Sequence, residues 1–188
     1  VKNCFNNLYK YKGDIKNYIR RSIRGGRCMV CNNKKIKAEG EIVDFDACSL
    51  YPSAMKRLYL PTGECFCSTN PNEVKKLFSD NLMIENQLIA DIDKFISYMI
   101  LHVKITKINK QRNFPLLSYQ TNGINLYTNE MIGKEVYLTS IELEDFIEYQ
   151  DGEVEFIDAI YWTGNKDNRM SQYIEKCYNL RREYKKED

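Results

Sequence analysis

The chain has 188 residues, 28 Lys/Arg against 26 Asp/Glu, 43% hydrophobic and 29% charged, a composition that supports one folded core. No run approaches the roughly 18 apolar residues of a membrane span, and the opening VKNCFNNLYKYKGD lacks the apolar stretch of a signal peptide, so membrane insertion and secretion are not expected. The net charge of +2 hides an uneven layout: residues 1–40 carry eleven Lys/Arg and two Asp/Glu, a net +9, which leaves −7 for the rest.

In chain order, a helix is predicted over Asp14 to Ile23, with Asp14 as N-cap, Ile15, Tyr18, Ile19 and Ser22 on one face, and Gly25-Gly26 as the stop. Strands are expected over Arg27 to Cys31 and, more strongly, over the Ile- and Val-rich Glu41 to Phe45. Ser49 then caps a helix that takes Pro52 in its first turn, continues through Ala54, Met55, Leu58 and Tyr59, and stops at Pro61-Thr62-Gly63. Another helix starts at Asn70-Pro71. Tyr98 to Ile108 alternates as a strand, with Val103 and Ile105 opposite His102, Lys104 and Thr106. His102, the one histidine, reads as structural.

Asn122-Gly123 signals a type I′ turn, and Thr139 with Glu142 makes a capping box for a helix over Ser140 to Tyr149. Asp151-Gly152 turns into a strand over Val154 to Trp162, and a last helix runs from about Asn168. Helices and strands mix without regular βαβ alternation, so the class is α+β.

The basic segment carries Arg20, Arg21, Arg24 and Arg27 together with Tyr9, Tyr11 and Tyr18. It fits a phosphate-backbone contact surface, and equally a solvated basic face. Seven cysteines without a secretory signal point to reduced thiols in an intracellular, reducing compartment. Cys28-x-x-Cys31 with Cys65-x-Cys67 could supply four thiolates to zinc, but Cys-x-Cys is not the usual half of a zinc ribbon, and buried free thiols are the default.

The segment with chemical content is Asp44-Phe45-Asp46-Ala47-Cys48-Ser49-Leu50-Tyr51-Pro52-Ser53. A carboxylate at a strand end, followed by a tight turn and a helix N-terminus, can hold a hard cation through Asp46 and an anion on the first helical N–H groups. That pairing suits a magnesium-triphosphate. Asp44 shares a strand face with Asp46 by period 2, which permits a paired site or simply two solvated acids.

Asp46-x-x-Ser49-Leu50-Tyr51-Pro52-Ser53 resembles motif A of family B DNA polymerases. Ile23-Arg24-Gly25-Gly26 resembles the Tyr-x-Gly-Gly element that contacts template strand in that family, with Ile23 where the tyrosine stands. Pro115 to Trp162 is similar to the insertion of the protein-primed branch, found in phages, adenoviruses and linear plasmids, and Tyr173 to Arg181 to the first fingers helix. The resemblance implies part of a polymerase palm, antiparallel strands with helices, over residues 1–97. It implies the α+β insertion over 98–163 and the start of the fingers over 164–188.

It also implies roles: Asp46 as catalytic ligand of two Mg2+ ions with the Ala47 carbonyl, and Ser49 and Leu50 amides on the incoming nucleotide. Tyr51 would be the gate against a 2′-hydroxyl, Arg181 would sit on the β/γ-phosphates, and Arg24, Gly25 and Gly26 would lie on DNA. For Tyr51 the alternative is a core aromatic, and for Arg181 a solvated helix face. Partners implied are primer-template DNA, dNTP and a terminal protein.

The second aspartate motif, Tyr-x-Asp-Thr-Asp, and the fingers motif Lys-x-x-x-Asn-Ser-x-Tyr-Gly do not occur. The chain, opening on Val1 and ending RREYKKED, is therefore expected to be a portion of a virus-, phage- or plasmid-encoded DNA-directed DNA polymerase. The alternatives are a catalytically inactive remnant that binds DNA or terminal protein, and a zinc-stabilised interaction module.

Overall fold

The computed structural model describes residues 11–27, 30, 34–35, 37–47, 49–57, 59–85, 96–163 and 166–187. Helix α1 spans Gly13–Ser22, α2 Leu50–Arg57, α3 Pro71–Glu85, α4 Ser140–Gln150 and α5 Arg169–Glu187. Strands β1 (Leu60–Pro61), β2 (Phe66–Ser68), β3 (Ile96–Ile108), β4 (Ser118–Thr121), β5 (Ile124–Tyr127), β6 (Glu135–Thr139), β7 (Gly152–Thr163) and β8 (Lys166–Asp167) form three antiparallel sheets. Mixed helix and antiparallel sheet is the α+β class expected.

The central sheet runs β2-β7-β3-β6 and has helices on both faces. One face buries Met99, Leu101, Val103 and Ile105 of β3 against Val74 and Phe78 of α3 and Leu143 and Phe146 of α4. The other presents Ile100, Ile160 and Trp162 to Ile15, Tyr18 and Ile19 of α1. The period-2 pattern of β3 therefore serves two cores, and Lys104 and Thr106 stay exposed where β3 runs past α1. β3 and β7 are out of simple register in three places, one of them between His102 (paired with Asp158) and Val103 (paired with Phe156). Ile157 is the extra residue of that bulge.

The local signals between residues 98 and 163 hold in the structure. Asn122 and Gly123 both take positive φ, 50° and 76°, in the turn from β4 to β5. The Thr139 side chain accepts the Glu142 N–H while Glu142 accepts the Thr139 N–H, and α4 ends where Asp151 enters the left-handed region. Gly152 follows against Phe146, where an added Cβ would lie 2.1 Å from the ring Cε1.

Four expectations are corrected. Helix α1 begins one residue before Asp14; Lys12 is its N-cap, in extended geometry, and Asp14 sits in the first turn. Helix α2 ends at Arg57, because Leu60–Pro61 pairs with Lys166–Asp167, so Tyr59 lies beyond the helix, while Leu58 is outside the described residues. Ser49 precedes α2 as expected but at φ 55°, not in the extended geometry of an N-cap.

Glu41 to Phe45 forms no strand, since no described segment pairs with it; Ile42, Val43 and Phe45 are 80%, 60% and 89% exposed. The strand expected over Arg27 to Cys31 falls largely outside the described residues, and Arg27 and Val30 are in none. Among the described residues no helix is long and apolar enough to cross a membrane.

Candidate functional site

Asp46 and Asp44 lie exposed on the segment leading into α2, not at the end of a buried strand. The chain turns there: the Leu50 N–H donates to the Ala47 carbonyl at 3.2 Å, and the Ser53 N–H to the Ser49 carbonyl at 2.9 Å. The Leu50 amide, expected on a triphosphate, is thus engaged within the turn, while the Ala47 carbonyl keeps a second lone pair for another partner. Ser49 holds left-handed backbone geometry, an uncommon state for a side chain without glycine's freedom.

Tyr51 is 71% exposed, which excludes a core aromatic among the described residues. Its hydroxyl reaches Gly26: a Cβ added at that glycine would lie 4.0 Å from it. The double-glycine element and the Ser-Leu-Tyr-Pro turn, separated by more than twenty residues in sequence, are therefore neighbours. Sequence spacing alone carried no sign of this contact.

α2 packs against α5, and Lys56 pairs with Glu175 at 2.7 Å between half-exposed side chains. Between the two helices is a cleft of about 340 Å³ lined by Pro52, Ser53, Ile174, Tyr178, Asn179 and Arg182 among others. Arg181 is exposed on α5 next to this lining. The start of α5 is fixed by Asp167, which accepts the Arg169 N–H at 2.7 Å and also pairs with the Arg169 guanidinium. Those bonds hold the Asp167 carboxyl below its ordinary range, so it stays charged at the positive helix end.

The basic segment is more structured than a solvated face. Arg24 donates to the carbonyls of Arg21 and Tyr137, and Arg21 to the Tyr137 hydroxyl at 2.6 Å. Arg27 lies 4.3 Å over the Tyr127 ring and donates to the Pro115 carbonyl. Three of the four arginines of the basic segment thus dock α1 and the double-glycine segment onto Pro115 and Tyr137. His102 supports this joint, as a structural role requires. It stacks on Tyr137 at 4.2 Å and lies 3.1 Å from Asp158, which accepts the Tyr18 hydroxyl at 2.5 Å. Burial, then that bond to Asp158, pushes the Tyr18 phenol far above its ordinary range, so it remains a donor.

As a metal site the geometry is partial. The described residues contain no group of three or more His, Cys, Asp or Glu placed to hold an ion. Asp46 and the Ala47 carbonyl offer one exposed carboxylate and one carbonyl oxygen, too few to hold a hard cation by protein alone. Of the zinc candidates, Cys28 and Cys31 lie outside the described residues. Burial, then the neighbouring Cys67, pushes the Cys65 thiol up to about 11, the wrong direction for a thiolate ligand at neutral pH.

No curated protein sequence matches the chain. Among solved structures it is similar to phi29 DNA polymerase in an orthorhombic crystal form, at 20% identity and a TM-score of 0.63. It is similar to the same polymerase complexed with primer-template DNA and incoming nucleotide substrates, at 21% identity and a TM-score of 0.61. The complex with single-stranded DNA matches at 20% identity and a TM-score of 0.62. In each case the match covers 94% of this chain and 28% of the phi29 chain. The likeness establishes a shared fold, and the chain spans little more than a quarter of that polymerase's length. The family model described as DNA polymerase type B, organellar and viral, matches residues 2–188, and the chain belongs to that family.

Proposed function

We propose that this chain is the nucleotide-binding portion of a DNA-directed DNA polymerase that transfers nucleotides from dNTPs onto a primer-template, in the protein-primed manner. The observation that supports it most is the convergence of the motif A turn, the double glycine and α5: Tyr51 stands beside Gly26, and α2 packs on α5. In this reading residues 1–97 belong to the palm, 98–163 to the insertion and 164–188 to the fingers.

Asp46 and the Ala47 carbonyl would hold magnesium, which when bound acidifies the primer hydroxyl and offsets charge on the phosphates. The turn at Ser49 and Leu50 would face the triphosphate, Arg181 would neutralise its β/γ-phosphates, and Arg24, Gly25 and Gly26 would lie along DNA. The second aspartate of the motif Tyr-x-Asp-Thr-Asp would come from elsewhere in the longer enzyme. Its strand would pair with Glu41 to Phe45 and cover Ile42, Val43 and Phe45. The acidic stretch Glu142 to Asp158, eight acids without a base, would face a terminal protein.

Tyr51 offers the sharpest test. Its exposed ring beside the double glycine would lie under a deoxyribose and leave no room for a 2′-hydroxyl. Tyr51→Val in the longer enzyme is expected to raise ribonucleotide incorporation relative to dNTP by roughly ten- to a hundredfold in primer extension. Unchanged sugar selectivity would refute the nucleotide-site assignment.

A further inference from the structure

Helices α2 and α5 run antiparallel. Lys56, near the end of α2, meets Glu175 in the first half of α5 at 2.7 Å, while Pro52 and Ser53 at the start of α2 share a cleft with Asn179 and Arg182 further along α5. Tyr51 lies five residues before Lys56 and Arg181 six residues beyond Glu175, so both stand on the same side of the ion pair.

Little else fixes the angle between the two helices. α2 has no buried residue, none of the described α5 side chains is buried, and a cleft of about 340 Å³ lies between them. The ladder that joins their ends, β1 with β8, is two residue pairs long, and Pro61 has no N–H to give to it. Loose packing leaves orientation to directional contacts, and the Lys56–Glu175 pair is one. Both side chains are half-exposed, so the pair adds little to folding stability and its effect is on geometry.

The geometry carries leverage. Six residues at about 1.5 Å each put Arg181 about 9 Å along the helix axis from Glu175, so a tilt of about 10° about the pair moves Arg181 by about 1.5 Å. A displacement of that size takes a guanidinium out of hydrogen-bond reach of a phosphate oxygen.

We infer that Lys56 and Glu175 are positioning residues that hold α5 at the angle on α2 from which Arg181 reaches the phosphates of a nucleotide seated on Tyr51. The inference rests on the nucleotide-site reading given above, and the pair itself touches neither nucleotide nor metal. Opposite charges at the contact are required, whereas which helix carries the positive one is not.

The test is a charge exchange in the longer enzyme. Lys56→Glu and Glu175→Lys each place like charges at the contact and should raise the KM for dNTP about three- to fivefold, with kcat within about twofold. Combining the two should return KM to its wild-type value, and Lys56→Arg, which keeps the charge, should leave it there. Hydrogen exchange of the α5 amides in the same proteins reads the helix contact independently of synthesis: protection should fall in each single variant and return in the double. Where charge reversal impairs folding, the neutral Lys56→Gln and Glu175→Gln take its place, with an expected rise in KM of about twofold.

Wild-type KM in both single variants would overturn the inference. So would a raised KM that the double exchange fails to restore, which would give each residue a separate role. Altered hydrogen exchange with KM unmoved would also overturn it, leaving the pair as a tie between helices and nothing more. None of these variants changes Tyr51, so sugar selectivity tests the nucleotide-site reading separately from this one.

Discussion

Asp46→Ala in the longer enzyme is expected to abolish primer extension, with a loss on the order of a thousandfold or more, while primer-template affinity is retained. The size follows if Asp46 holds the metal as proposed, since such an ion would contribute several kcal/mol to the charge balance of phosphoryl transfer, at about 1.4 kcal/mol per factor of ten. The clean separation follows from the structure. Asp46 is exposed, and no hydrogen bond or ion pair of its side chain occurs among the described residues, so its removal should shift stability by no more than about 0.5 kcal/mol. Steady-state extension paired with a gel-shift measurement decides the matter; synthesis near the wild-type rate would remove Asp46 from the metal site.

Gly152→Ala is expected to be the most damaging small substitution between residues 98 and 163. Its φ lies outside the left-handed region, so the difficulty is space alone: the new methyl would sit 2.1 Å and 2.2 Å from two ring carbons of Phe146. That ring is fully buried between α4 and the sheet and has no free volume to swing into. Overpacking of this kind costs about 1–3 kcal/mol, and the severity of the overlap puts Gly152→Ala at or above the upper end. Against a total stability of about 5–15 kcal/mol this should appear as a large drop in Tm by calorimetry. Phe146→Leu in the same chain should recover part of the loss by vacating the ring edge. An unchanged Tm for Gly152→Ala would show that α4 can shift to make room.

Residues 98–163 were legible because their signals are local and the core they pack into lies within the described residues. Alternation in Tyr98 to Ile108, positive φ at Asn122 and Gly123, and the reciprocal bonds of Thr139 and Glu142 each need only near neighbours or the sheet they build. Glu41 to Phe45 failed for the opposite reason. Its letters favour a strand, but a strand exists only when a ladder partner accepts its hydrogen bonds, and none of the described residues provides one.

At the candidate site, the Ser-Leu-Tyr-Pro turn and the helix after it were readable, whereas the left-handed Ser49 was not, because serine before a helix ordinarily reads as an extended cap. The docking of α1 and the double-glycine segment on Tyr137 escaped the sequence altogether. Tyr137 lies 116 residues from Arg21 and 113 from Arg24 and shares no spacing with them; only the docking of α1 on the sheet brings them together.

The bulge at Ile157 has a consequence for comparing this chain with its relatives. Above it Asp158 faces α1 beside His102, and below it Phe156 turns to the opposite core and meets Phe78 at 5.8 Å. Because the extra residue absorbs one step of the alternation, a chain lacking it would pair His102 with the same aspartate and Val103 with the same phenylalanine. An alignment of β7 with such a relative therefore needs a gap in mid-strand, and that gap removes no partner from either core.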